Sequence, residues 1–168
     1  MMVIRYCGAM LATLALVACN ASAPGDAVAQ GTVADKPAAS PAGLDLVPLT
    51  ITSGGKTHAF TVEMARTSQQ QAKGLMFRTE LAPDMGMLFP FPRPKPASFW
   101  MKNTVIALDL LFVRSDGTIE SIAANAEPYS LDPISSGEPV AAVLELAGGR
   151  AAELGLKPGD TVTWRDRG

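Results

Sequence analysis

A mainly β single domain, a compact barrel or sandwich of roughly seven to nine short strands with two short helices, is what the sequence predicts from about residue 46 onward. Three observations predict it. Apolar and polar residues alternate over short runs, as in Leu49-Thr50-Ile51-Thr52 and Phe60-Thr61-Val62-Glu63-Met64, the period that lays one strand face on a core. Glycine- and proline-bearing turn signals separate these runs at short intervals. No repeat of about 20–50 residues marks a solenoid, and a chain of 168 residues favours one domain.

The first strand begins near Val47, and Ser53-Gly54-Gly55-Lys56 supplies a hairpin turn into a second that carries Phe60, Val62 and Met64 on one face. Thr67 to Phe77 reads as a short helix. Thr67 with Gln70 fits a capping box, and Ala72, Leu75 and Met76 fall on one side at helical spacing. Three apolar runs follow: Gly86 to Phe91, Ala97 to Met101 and Ala107 to Arg114. Prolines at 90, 92, 94 and 96 separate the first two and exclude both helix and central strand there. Ser115-Asp116-Gly117 turns Leu108–Arg114 into Thr118–Ala124, a second hairpin, and Val140 to Ala147 is a further strand. Gly148 to Leu154 suits one or two helical turns closed by Gly155. Lys157-Pro158-Gly159-Asp160 has the proline and glycine of a type II turn, before a last strand from Thr161 to Arg165 with Val162 and Trp164 on one side.

Upstream of this domain the chain looks exported. Arg5 gives a positive start, and Ala9 to Ala18 is an apolar stretch too short to span a bilayer comfortably. It ends Leu16-Val17-Ala18-Cys19, which resembles the bacterial lipobox. The expectation is a signal peptide at 1–18, a lipid-bearing Cys19 opening a flexible tether over 19–45, and a β-rich globular domain over 46–168. The tether is dense in Ala, Gly, Ser and Pro and has no aromatic residue. Acyl chains at about 0.8 kcal/mol per buried CH₂ would attach the protein to a membrane without a transmembrane helix, facing the periplasm. The chain has two cysteines. Cys7 leaves with the leader and Cys19 becomes a thioether, so the mature domain is expected to have neither disulfide nor thiol nucleophile.

Charge and composition narrow the function classes. The net charge is −2, and no basic run interleaves with aromatics, which argues against a nucleic-acid partner. One histidine does not furnish the ligands of a zinc hydrolase, and no cofactor motif is present. Met76, Met85, Met87 and Met101 with His58 are ligands of the soft kind that suits Cu(I), but standing among Leu and Phe they read as core filler. The most unusual segment is Ser98-Phe99-Trp100-Met101-Lys102-Asn103-Thr104, followed by Asp109. It sets aromatic faces beside a lysine and an amide, the ingredients of a small-ligand pocket; the competing reading has Phe99 and Met101 in the core and Lys102-Asn103 turning the chain. Asp109 and Glu145 form a carboxylate pair if their strands are neighbours, or else accept turn N–H groups.

Gly74-Leu75-Met76-Phe77-Arg78, Gly86-Met87-Leu88-Phe89, Phe99 to Thr104 with Leu108-Asp109, Tyr129-Ser130, Val143 to Gly148, and then Gly155 and Gly159-Asp160 arrive in order. This succession resembles the family catalogued as domain of unknown function 192, bacterial and archaeal proteins often exported, and covers about Val47 to Trp164. The resemblance implies a compact β-rich domain and implies no established activity. The rigid stretch Pro90 to Pro96 departs from it.

The expectation for function is therefore a membrane-anchored envelope lipoprotein, expected as a monomer, whose domain binds a small anionic or sugar-like ligand without turnover through Arg78, Trp100, Lys102, Asn103 and Asp109. The rival is an envelope hydrolase or transferase acting on glycans, with Asp109 or Glu145 as acid or base.

Overall fold

The computed structural model describes Ser40 and residues 42–165; the expected leader, Cys19 and the tether up to residue 39 lie outside the described residues. Seven strands form one mixed sheet in the order β6-β5-β8-β3-β2-β1-β9, and β4 with β7 forms a two-stranded ribbon.

β1 (Leu46–Ser53) and β2 (Lys56–Met64) pair antiparallel across the expected hairpin, closing at Ser53↔Lys56. Gly54 and Gly55 both take positive φ, 55° and 79°, as a two-residue turn matched to strand twist requires. From β2 the chain crosses over through α1 (Ser68–Lys73) to β3 (Met85–Lys95), which pairs parallel with β2 from Thr61↔Met85 to Met64↔Leu88. A parallel pair needs such a crossover, and no local pattern announced it.

α1 is shorter than the predicted 67–77 helix. The capping box is present, with Gln70 N–H donating to the Thr67 hydroxyl and the Gln70 side-chain oxygen accepting from Thr67 N–H. None of its six residues is buried. The apolar face expected of Ala72, Leu75 and Met76 fails because Gly74 ends the helix, and the irregular turn after it carries Leu75 into the core.

Pro90, Pro92 and Pro94 lie within β3, where the sequence excluded a central strand. The exclusion holds for the part that matters: pairing to β2 ends at Leu88, and beyond it β3 is an arm bonded on one side to β8 (Val140–Ala147) with an irregularity between Pro90 and Lys95. β4 (Ser98–Phe99) is all that forms of the Ala97–Met101 run, and it pairs with β7 (Ile134–Ser135).

β5 (Leu108–Val113) and β6 (Ile119–Ala126) make the second hairpin, and β5 also pairs with β8. Every residue of β5 is buried, because apolar layers cover both faces of the sheet. One layer gathers Leu49, Ile51, Phe60, Val62, Leu111 and Leu144, with Val162 of β9 (Thr161–Trp164). The other gathers Leu75, Met87, Phe89, Met101, Leu110 and Phe112. Leu44 belongs to this second layer, so packing starts within the last residues that composition assigned to the tether. α2 (Arg150–Leu154) ends at Gly155 in the left-handed region, and Gly159 takes φ 92° in the predicted Pro-Gly turn.

The sheet is not closed into a barrel; the compact sandwich-like architecture is the one found. Its two edges touch at one corner, where Thr118 bridges Thr161 and Ile119 N–H donates to Asp160 O at 2.8 Å.

Candidate functional site

One row of residues across the sheet defines the chemistry of its second face. Glu63 on β2 lies opposite Met87 on β3, Met87 opposite Glu145 on β8, and Glu145 opposite Leu110 on β5. Residues directly opposite share a face, so two carboxyl side chains flank one methionine, with their backbones about 10 Å apart at two strand spacings. Gly86 permits the close approach: a Cβ there would stand 2.7 Å from the Glu145 carbonyl oxygen.

The two carboxyls have different surroundings. Glu63 is buried, and Arg78 Nη2 donates to both its oxygens at 2.8 and 2.7 Å. Glu145 is 5% exposed and has no hydrogen bond to its side chain among the described residues. Burial pushes its carboxyl up to about 8, because the charged form loses water and gains no partner. At neutral pH it keeps its proton and is a hydrogen-bond donor.

Glu145 lies at the bottom of a cavity of about 250 Å³. Leu75, Phe89, Ala97 and Thr104, all buried, complete the floor. Phe91 and Phe99 are half-buried in its walls, and Phe99 meets Phe89 edge to face at 5.1 Å and 87°. Trp100, Lys73 and Lys95 are exposed at its mouth. Lys95 Nζ stands over the Phe91 ring at 4.3 Å, and neither lysine makes an ion pair among the described residues. The elements that place these groups are α1 and the turn after it, the proline arm of β3, β4 and the centre of β8. A larger neighbouring recess of about 510 Å³, lined by Leu44, Phe77 and Arg78 among others, contains no buried polar group lacking a partner.

The residues singled out from sequence do not form one cluster. Trp100 lines the cavity mouth, 51% exposed, with Lys102 Nζ 5.1 Å from its ring centre. Arg78 is committed to Glu63 and faces the neighbouring recess. Asn103 is a corner with φ 57°: its carbonyl accepts from Phe77 N–H at 2.8 Å, and its amide donates to Met76 Sδ at 3.8 Å. Tyr129 N–H donates to Thr104 O and Met101 N–H to Ser130 O, so Tyr129-Ser130 fastens the Trp100–Thr104 segment beside the cavity.

Asp109 stands apart from all of them. It is fully buried and accepts from the N–H groups of Asn125, Gly149 and Ala151 at 2.8, 3.0 and 2.7 Å, holding the start of α2. β5 and β8 are neighbours, as a carboxylate pair with Glu145 would need, but Asp109 lies opposite Leu146 and Glu145 opposite Leu110. That offset of one puts the two carboxyls on opposite faces.

Sequence reasoning missed Glu63 and, of the aromatic lining, Phe89 and Phe91. Glu63 sits between Val62 and Met64 in an alternating strand, where period two assigns it to solvent; the second apolar layer puts it inside. The signal available for Phe89 and Phe91 was their alternation with Leu88 and Pro90, and it ran into the stretch set aside for its prolines. Of the candidate soft ligands, Met87 and Met101 are buried in the second layer. Among the described residues no group of three or more His, Cys, Asp or Glu gathers in a way that could hold a metal.

The chain matches the family model DUF192, described as an uncharacterized group, over residues 49–164. It is similar to a protein of unknown function from Novosphingobium aromaticivorans DSM 12444, at 53% identity and a TM-score of 0.75, covering 78% of this chain and 94% of that one. It is also similar to a "putative transcription regulator" from Sinorhizobium meliloti 1021, at 47% identity and a TM-score of 0.70, covering 72% of this chain and 95% of that one. No curated protein matches it.

Proposed function

This chain belongs to the DUF192 family, and from that premise we propose that it is a membrane-anchored envelope lipoprotein whose domain binds a small ligand in the Glu145 cavity without chemical turnover. One observation carries the binding reading: a buried carboxyl with no hydrogen-bond partner forms the floor of an aromatic-walled cavity. Its carboxyl oxygens open onto the cavity, unlike the sealed His58 Nε2, so a ligand acceptor placed there would meet a donor that no protein group now pairs with. Apolar and aromatic walls with a few convergent polar groups are the ordinary make-up of a small-molecule site. Leu16-Val17-Ala18-Cys19 after an apolar leader supports the anchor.

The test is a fragment screen by protein-observed NMR on the full chain. Hits should shift the amides around Glu145, Phe89 and Phe99, and Glu145→Leu should lose them. A screen whose hits fall elsewhere, or survive Glu145→Leu unchanged, removes the site.

A second reading keeps the cavity and makes Glu145 a general acid acting on glycans. Its raised pKa favours this, since a carboxyl near 8 still holds a proton to deliver at neutral pH. The partner such chemistry needs is a second carboxylate, and Glu63, the candidate on the same row, has both oxygens held by Arg78. Release of a chromophore from aryl glycosides, absent in Glu145→Gln, would decide for the enzyme.

A further inference from the structure

Resting on the reading of the cavity as a binding site, we propose that its ligand is a compact single-ring monoanion that enters neutral end first, placing a hydroxyl or carbonyl at Glu145 and leaving its negative charge at the mouth between Lys73 and Lys95.

Size sets the first limit. A cavity of about 250 Å³ falls below the roughly 300–1,000 Å³ of sites for drug-sized molecules, so one ring is the scale that fits. The walls set the second. Phe89, Phe91 and Phe99 offer ring faces and edges, against which a planar ring or the C–H face of a sugar packs.

Polarity along the depth sets the orientation. The charged groups that line the cavity or share the row of Glu145 are Lys73 from α1, Lys95 from β3 and, beyond Met87, the paired Glu63 and Arg78; Arg93 of β3 does not line the cavity, and β5 presents Leu110 while its Asp109 turns to the other face. The net charge free to meet a ligand is positive and sits at the mouth, where both lysines are exposed. A cationic ligand would have to pass them. An anion carried inward would lose its water beside a carboxyl that burial already keeps protonated, a costly arrangement. An anionic group held at the mouth keeps solvent and gains both ammonium groups, while the neutral end takes the proton of Glu145.

Two sources share this chemistry, a sugar acid and an aromatic hydroxy acid. Calorimetric titration of the full chain with D-glucuronate, 4-hydroxybenzoate, D-glucose and D-glucosamine separates them. At least one of the two acids should bind about ten-fold more tightly than either non-acid, and which acid does so identifies the source. Lys73→Met and Lys95→Met should each weaken that acid about three- to ten-fold and flatten its salt dependence. Affinity should fall as pH rises past 8, and whatever affinity remains in Glu145→Gln should not vary with pH over that range. Preference for glucosamine, or affinity that rises with pH, overturns the anion proposal while leaving the cavity a site. Glu145-independent binding of the acids, or no binding of either acid by a folded chain, overturns it as well; the fragment screen then says separately whether the cavity binds anything.

Discussion

Asp109 and Glu145 sit on adjacent strands one register position apart, and that offset sends one carboxyl to hold a helix and the other to floor a cavity. Their substitutions should therefore behave oppositely. Asp109→Ala strands three backbone donors that now bond a carboxylate. The expected loss is about 3–5 kcal/mol in urea unfolding, with charge-assisted bonds worth roughly 1.5–3 each and some donors recovering water.

Glu145→Gln should stabilise the domain at neutral pH. Between the ordinary carboxyl value of 4.5 and the raised value of about 8, the folded protein holds a proton that the unfolded chain has released. The stability contributed by Glu145 is then full below 4.5, falls as pH rises, and levels off above 8. At pH 7 the difference is about 3 kcal/mol at 1.36 per unit. Urea melts across this range should show the advantage of the variant over wild type widening as pH rises toward 8; parallel curves would refute the assignment.

The Arg78–Glu63 pair predicts non-additivity. Arg78→Met leaves a buried carboxylate without its partner and should cost about 3 kcal/mol. Adding Glu63→Met should recover most of it, because two apolar side chains of similar volume replace two charges. A double variant as unstable as the sum of the singles would show that the pair is not a unit.

Trp100 is half out of the protein, so Trp100→Ala should cost about 1 kcal/mol, well short of the roughly 3–5 for a core aromatic. Lys102→Met keeps the stem and removes the charge that faces the ring, and should leave stability unchanged. Both variants should fold and weaken any ligand that reaches the cavity mouth. A stable double variant with unaltered binding would remove Trp100 from the site.

Cys19→Ser should abolish incorporation of labelled palmitate and leave an uncleaved precursor. Continued labelling, or a mature wild-type chain that begins elsewhere, would refute the anchor.

Local pattern made most of the fold legible. The Gly54-Gly55 hairpin, the Thr67–Gln70 capping box, the Val140–Ala147 strand and the Pro158-Gly159 turn depend on residues close in sequence, and each is found. The parallel pairing of β2 with β3 depends on a long crossover, which no short period records. The site was partly legible for the same reason. Trp100 was visible as an unusual residue, and Glu145 as a carboxylate on a strand. That Glu145 faces the aromatics and Asp109 does not is a matter of inter-strand register, set by pairings far apart in sequence.

Pro90, Pro92 and Pro94 leave three positions of the β3 arm without a backbone donor, in a stretch whose register to β8 shifts between Pro90 and Lys95. On the side toward β2, the Leu88 carbonyl accepts from Ala65 N–H and the Pro90 carbonyl accepts from the Gln71 side chain. Past the end of β2 the arm therefore offers a neighbouring strand few backbone donors. A foreign strand has no ladder to extend there. The wall of the cavity can stand open to solutes at high local concentration without seeding a fibril along its rim.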